Sequence, residues 1–406
     1  MIHQQTSPGE RRFVLLTIAF IVAVSFIREP LFFLQPRLWA EEGSVYLQAA
    51  VSQNDWSVVF RPHLGYYSLV PNLVTTLGLR VGGISGVAAW TTWTSFVVMI
   101  LCLFAPLFLA SRFWDTRWKR IAILVFTLTA GSAEIWLNTV NIQHYLCAFT
   151  CFLLLSDLSG WSVGVRRYVY GMTVLAALSG VTSVLLLPLV ALRMRSLRPN
   201  DSPWKTMLGI FCVAFLVHAA GFILSAAETG SSRISLANLS HLPAGIALTL
   251  SGTAASGDRL SRILFVLAIV VMMVMVRRHL AVVRSPLLAA VYLGVVFTIL
   301  SLEMKGGNRY AFAPSILVFV FLCNAVGLCE GRPARRIAIM AVVLPMLLAG
   351  VRYFETATYY SPSWKLMRAE NMVRTGAETI ELPVFPQWPQ THWVVNMTDA
   401  EYRRNP

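Results

Sequence analysis

The chain has 406 residues, 56% of them hydrophobic and only 13% charged, with a formal net charge of +14. A mean hydropathy of +0.65, arranged in apolar runs of about 17–25 residues, is the composition of a polytopic helical membrane protein; a soluble core of this size would show amphipathic stripes instead. The basic excess does not indicate nucleic acid, because Lys and Arg gather at the ends of apolar runs and no soluble segment is present to carry a basic face.

The six cysteines, Cys102, Cys147, Cys151, Cys212, Cys323 and Cys329, all lie in apolar runs. They read as small hydrophobes rather than a disulfide or zinc framework.

In chain order, residues 13–27 form the first predicted span. Arg11 and Arg12 lead it and orient its start to the cytoplasm. No cleavage site follows, so the span is expected to be retained. Residues 28–85 are then an external loop holding Glu41 and Glu42. Within that loop, 66–81 is apolar but interrupted by Pro71, Asn72 and Arg80. Placing it in the interface as an amphipathic helix lets the span at 86–110 deliver Arg112, Arg117, Lys119 and Arg120 to the inside.

Residues 120–133 then go out, 134–143 form an external loop, and 144–156 return. Basic groups flank 168–193 at both ends, so it reads as two short helices that enter and return, broken near Ser179-Gly180. Residues 205–226 exit, and an external loop with a half-helix at 236–250 follows. Further spans are expected at 260–276, 286–302, 309–328 and 337–350. The expected fold is an all-α polytopic membrane protein of about eleven crossings over residues 1–354. The first external loop supplies interfacial helices, and residues 355–406 form a short external tail lying against the bundle.

The cytoplasmic loops are short and basic, so any site should face outward. The external loops supply Glu41, Glu42 and His63, then Glu134, Asn138, Asn141, Gln143 and His144, and later Arg233, Lys305, Arg309 and Tyr310. Two adjacent carboxylates beside a spanning helix are functional candidates by default. On a helix, Glu42 and Tyr46 share a face, and Gly43 admits a close neighbour. The same acids also fit a hydrated loop in which they pair with Arg37 or Arg61. Arg309 fits a snorkelling residue, and Asn138, Asn141 and Gln143 fit helix-end partners.

No Walker loop, dinucleotide turn or zinc helix is present, so an enzyme here must use a substrate activated elsewhere. A sugar on a lipid phosphate carries its own leaving group. Its transfer needs a base for the acceptor hydroxyl, Glu42 or Glu41. It also needs a cation for the departing phosphate, Arg309, Lys305 or Arg233.

Trp39-Ala40-Glu41-Glu42-Gly43-Ser44-Val45-Tyr46 in the first external loop, followed by His63-Leu64-Gly65-Tyr66-Tyr67, resembles the GT-C superfamily of integral membrane glycosyltransferases that use polyprenyl-phosphate sugars. Glu134 in the second external loop, the break at Ser179-Gly180, and Asn308-Arg309-Tyr310 with Pro314 are similar to that family as well. This sequence has Glu where the family has Asp, Gly43 where Glu is usual, and no prolines after His63.

The resemblance implies a bacterial inner-membrane enzyme with a cytoplasmic N-terminus and a periplasmic active face. It would perform an inverting transfer from a polyprenyl-phosphate-linked sugar to an envelope glycan such as O-antigen, or to a lipid acceptor, with a divalent metal left open. A transporter or flippase of lipid-linked sugars is the alternative from another class, and a non-catalytic membrane scaffold is a third. Charges gathered at one surface, rather than at the midplane, favour the enzyme.

Overall fold

The computed structural model describes residues 8–63, 65–130, 133–157, 161–195, 202–229, 259–300 and 307–354. In the C-terminal region it describes 373–375, 379–384, 393–398 and 401, together with single residues between 240 and 246. The chain is mostly helical. Among the described residues, four helices are long and apolar enough to cross a membrane: Leu69–Phe108, Pro203–Leu224, Arg277–Ile299 and Arg309–Val326.

Helix length does not carry the expected count of about eleven. Gln143–Leu155 and Phe265–Met275 are apolar but short. Arg117–Thr129 and Val163–Leu178 are also shorter than the roughly 20 residues a straight crossing requires. Pro8–Arg28 is long enough, but Glu10, Arg11, Arg12 and Arg28 crowd its ends.

The axis of the bundle is Phe312–Val326, in which every residue is buried. A helix apolar on all sides is stable only when surrounded. Its neighbours include Arg117–Thr129, Gln143–Leu155, Leu280–Ile299 and Arg332–Phe354. Phe319 stacks flat on Phe126 with ring centroids 4.1 Å apart, and Phe312 meets Tyr145 at 4.8 Å. Asn324, near the far end, donates to the Phe113 carbonyl at 2.8 Å and accepts from Lys119 Nζ at 3.1 Å. That satisfies the one amide this apolar helix buries. On the outer helices Leu16, Val97, Leu216, Ile223 and Leu347 are exposed, an apolar exterior that a bilayer would cover.

Residues 66–81, expected to form one interfacial helix, begin with a tight turn and enter a helix at Leu69. That helix, Leu69–Leu103, breaks at Gly83 with φ 61° and ψ −169°. A Cβ on Gly78 would lie 2.9 Å from the Trp90 Cβ, although a straight helix would separate the two residues by about 18 Å. The chain therefore folds back sharply at Gly83, and residues 69–82 form a limb distinct from 84–103.

Residues 163–195 are broken too. Val163–Leu178 ends at Ser179-Gly180, Gly180 adopts φ 121°, and Val181–Val184 and Leu187–Arg195 follow.

Among the described residues there is also a small antiparallel sheet, which an all-helical expectation does not contain. Its strands are β1 (Val373–Thr375), β2 (Thr379–Pro383) and β3 (Val394–Thr398), in the order β1-β2-β3. Val395 and Met397 point inward and Asn396 and Thr398 outward, the alternation of a half-buried strand. With Leu382 and Val384 they share a second, smaller core with Leu38, Leu47, Val58, Leu79 and Val87. The tail is thereby fastened to the first loop. Gln48 Nε2 donates to the Asn396 carbonyl at 2.7 Å, and the Asn396 N–H donates to Gln48 Oε1 at 2.6 Å.

Candidate functional site

Four segments far apart in sequence meet at one end of the Phe312–Val326 axis: 41–46, 63–66, 134–144 and 309–310. The first is a π-helical turn, Glu42–Leu47, in which the Gln48 N–H reaches back to the Gly43 carbonyl. Such widened turns recur at functional sites. A Cβ on Gly43 would stand 2.3 Å from Cγ2 of Val384, the residue after β2. The close neighbour that Gly43 admits is thus the Val384 side chain.

The two adjacent acids part company on this turn. Glu42 is completely buried. Its Oε2 accepts from the Trp39 N–H at 2.8 Å, and its Oε1 accepts from the Thr139 N–H at 2.5 Å and the Thr139 hydroxyl at 2.6 Å. Burial pushes its carboxyl up to about 7, against the pull of the Thr139 and Trp39 hydrogen bonds and the Arg37 charge. The bare carboxylate expected at position 42 is instead a staple between the 39–47 and 134–144 segments, because both its oxygens accept hydrogen bonds there.

Glu41 is half-buried, and its Oε2 is enclosed without a hydrogen-bond partner. Its charge bears on Tyr46, Tyr66, Glu134 and Arg309.

The second loop is built around one carbonyl. Glu134 O accepts from Asn138 Nδ2 at 2.6 Å and Asn141 Nδ2 at 3.0 Å, while Asn138 Oδ1 takes the Asn141 N–H at 2.8 Å. Asn138, among the residues expected at the site, is engaged by its own loop on both sides of its amide. Asn141 is engaged in part, and its Oδ1 faces Arg309.

The loop presents the Glu134 side chain to Arg309. Arg309 Nη1 donates to Glu134 Oε1 at 2.7 Å and to Asn141 Oδ1 at 3.2 Å, and its Nε is buried without a partner. Burial raises the Glu134 carboxyl; Arg309 opposes the rise and Glu41 adds to it.

Aromatic and imidazole rings line the rest. His63 packs edge-on to Tyr46 at 5.2 Å, and His144 packs edge-on to Tyr310 at 5.0 Å. The Nε2 atoms of both histidines are buried and unpartnered. Burial, and then the Arg61 charge, lowers the His63 imidazole, favouring its neutral form. The Tyr46 phenol is raised by burial foremost.

Gln143 Oε1 is also unpartnered, and its side chain lies against Gly180, where a Cβ would come within 2.4 Å of that oxygen. The break at Gly180 is what leaves room for it.

Tyr66, absent from the expected site residues, stands where the segments meet. Its phenol is pushed up to about 12 by burial and by Tyr310, and eased by Gln143 and Arg309. Its sequence signals are its place in the His63–Tyr67 stretch and after Gly65, which takes φ 84° in the turn that pairs His63 with Tyr66. Arg233 and Lys305 lie outside the described residues.

Among the described residues no group of three or more His, Cys, Asp and Glu side chains is placed to hold one ion. Glu134 is already neutralised by Arg309, so this donor set does not suit a divalent metal. No protein-family model matches the chain, nor does any curated protein or solved structure.

Proposed function

We propose that this chain is an integral membrane glycosyltransferase of the GT-C kind, moving a sugar from a polyprenyl-phosphate donor to an envelope glycan or lipid acceptor on the periplasmic side of a bacterial inner membrane. The observation that carries this reading is the enclosed, unpartnered oxygen of Glu41, whose charge reaches the guanidinium of Arg309. A proton acceptor and a phosphate-directed cation are the two groups such a transfer needs.

Glu41 takes the proton of the acceptor hydroxyl as its oxygen bonds to the sugar anomeric carbon from the face opposite the phosphate. The bond from that carbon to the phosphate oxygen breaks, and polyprenyl phosphate leaves with the bonding pair. Arg309, held in place through Nη1 by Glu134 and Asn141, turns its remaining donors to the phosphate. Its rigid fork suits that anion better than a lysine would. Glu42 plays no direct part and fixes the height of the turn that carries Glu41. The further crossings beyond the four long apolar helices belong to this proposal, with the shorter helices completing the bundle by tilt and local thinning.

The test compares Glu41→Gln with wild type in nanodiscs, using a radiolabelled polyprenyl-phosphate sugar. The donor is chosen from the lipid-linked sugar that accumulates in a deletion strain. Loss of a positioned base lowers transfer by about 10²–10⁴-fold while donor binding stays. A Glu41→Gln rate equal to wild type sinks the proposal.

A further inference from the structure

Outside the site, one turn exposes two large aromatics although it is tied down on every other side. Asp55 caps the 3₁₀ turn Trp56–Phe60 by accepting the Ser57 N–H at 2.6 Å. Val58 and Val59 face inward and are buried, while Trp56 is 49% exposed and Phe60 76% exposed. The Val59 carbonyl accepts from the Tyr67 hydroxyl at 3.0 Å, and the Arg61 carbonyl accepts from Asn72 Nδ2 at 2.8 Å. Asn72 itself is fully buried. This exposure therefore belongs to a rigid, supported turn.

Two arginines frame the aromatics. Arg61 is exposed. Arg80 stacks its guanidinium over Trp56 at 4.9 Å and donates to the Asn54 carbonyl at 2.9 Å. Further exposed apolar side chains follow Arg80 along the chain. Val81 is 64% exposed. Gly82 lies against the Trp90 indole, and Trp90 and Trp93 are partly exposed on the second limb of the Leu69–Phe108 span candidate. Exposed Trp and Phe beside arginine, joined to a helix able to cross a membrane, is the pattern of an aromatic interface belt.

We infer that the Trp56–Phe60 turn is a wedge set into the outer interface of the bilayer, where Arg61 and Arg80 take the phosphates of anionic phospholipid headgroups. Continuity with the spanning limb and the sign of the charge both select a lipid surface. The wedge is coupled to the site as well. Tyr67 and Asn72, which hold its carbonyls, directly follow the turn that presents Tyr66, so the depth of the wedge in the lipid sets the height of the site above the bilayer.

The inference is tested on the full chain, independently of any transfer activity. Spin labels at Trp56→Cys and Phe60→Cys, in a background where the exposed Cys212 is replaced by Ser, are read in phosphatidylcholine–phosphatidylglycerol vesicles. Both should collide more with oxygen than with an aqueous nickel chelate, and a label at the exposed Ser52 should show the reverse. Retention of phosphatidylglycerol by the purified protein should fall about fivefold for each arginine removed in Arg61→Gln and Arg80→Gln. Nickel-accessible labels at 56 and 60 would overturn the inference, as would labels shielded from both probes by a protein partner. A lipid census indifferent to the two arginines would overturn it equally.

Discussion

Glu42 makes the sharpest test of how the 39–47 and 134–144 segments are held together, because its carboxyl is buried yet hydrogen-bonded through both oxygens. A rise from 4.5 to about 7 corresponds to a preference of roughly 3 kcal/mol for the protonated acid in the folded protein. Between those two values the folded chain holds a proton that the unfolded chain has released. Stability therefore falls as pH climbs from about 4.5 to about 7, and levels off above.

Glu42→Gln removes this dependence. It also places an amide NH₂ against either the Trp39 N–H or the Thr139 donors, both of which now meet carboxylate oxygens. One buried donor left unpaired costs about 1–3 kcal/mol. The variant should accordingly be the weaker protein near pH 5. Its deficit should close by roughly 3 kcal/mol toward pH 8, on the order of 5 °C in melting midpoint for a chain this long. Thermal unfolding of both proteins in one detergent, followed from pH 4.5 to 8, measures the gap. A gap independent of pH, or one that widens as pH rises, would mean that the hydrogen bonds and Arg37 outweigh burial, and the reasoning would fail.

Three further outcomes follow from single contacts. Gly43→Ala drives a methyl group into Val384 and should release the C-terminal sheet to limited proteolysis; Val384→Ala in the same chain should restore protection, since it removes the atoms that clash. Gly180→Ala should lower the melting midpoint through both its φ of 121° and its collision with Gln143, a cost of about 1–3 kcal/mol; adding Gln143→Ala should recover only part, because the backbone strain remains. Arg309→Lys keeps the charge but cannot serve Glu134, Asn141 and a phosphate from one rigid fork, so transfer should drop roughly 10–100-fold, and a rate within twofold of wild type would count against the assigned role.

Much of the site is visible in the sequence for a simple reason. Ionisable residues in an apolar chain are few and costly, so Glu41, Glu134, His144 and Arg309 stand out, and the fold brings their segments together. The break at Ser179-Gly180 is legible on similar grounds, because glycine there announces a backbone that other residues avoid. The β2–β3 pairing is harder to see. Its strands are only five residues long, lie among Trp and Pro, and are stabilised by Leu38, Val58 and Val87, more than 280 positions away in sequence. The number of crossings is obscured in the same way, since several helices owe their stability to packing around Phe312–Val326 and not to length.

The choice between Glu41 and Glu42 is the least legible feature and the most consequential. An ideal α-helix would put Glu42 and Tyr46 on one face and suggest position 42 for the exposed acid. The chain instead takes a π turn, and the Thr139 N–H and hydroxyl, 97 residues on, reach Glu42. Two chemically identical side chains thereby meet opposite surroundings, one hydrogen-bonded across two segments and the other with an enclosed oxygen that has no hydrogen-bond partner. Short-range periodicity carries no trace of this, because the deciding partner is Thr139, an uncharged residue that nothing in its own surroundings marks out. The pH behaviour of Glu42 and the transfer rate of Glu41→Gln therefore probe one structural decision from its two sides.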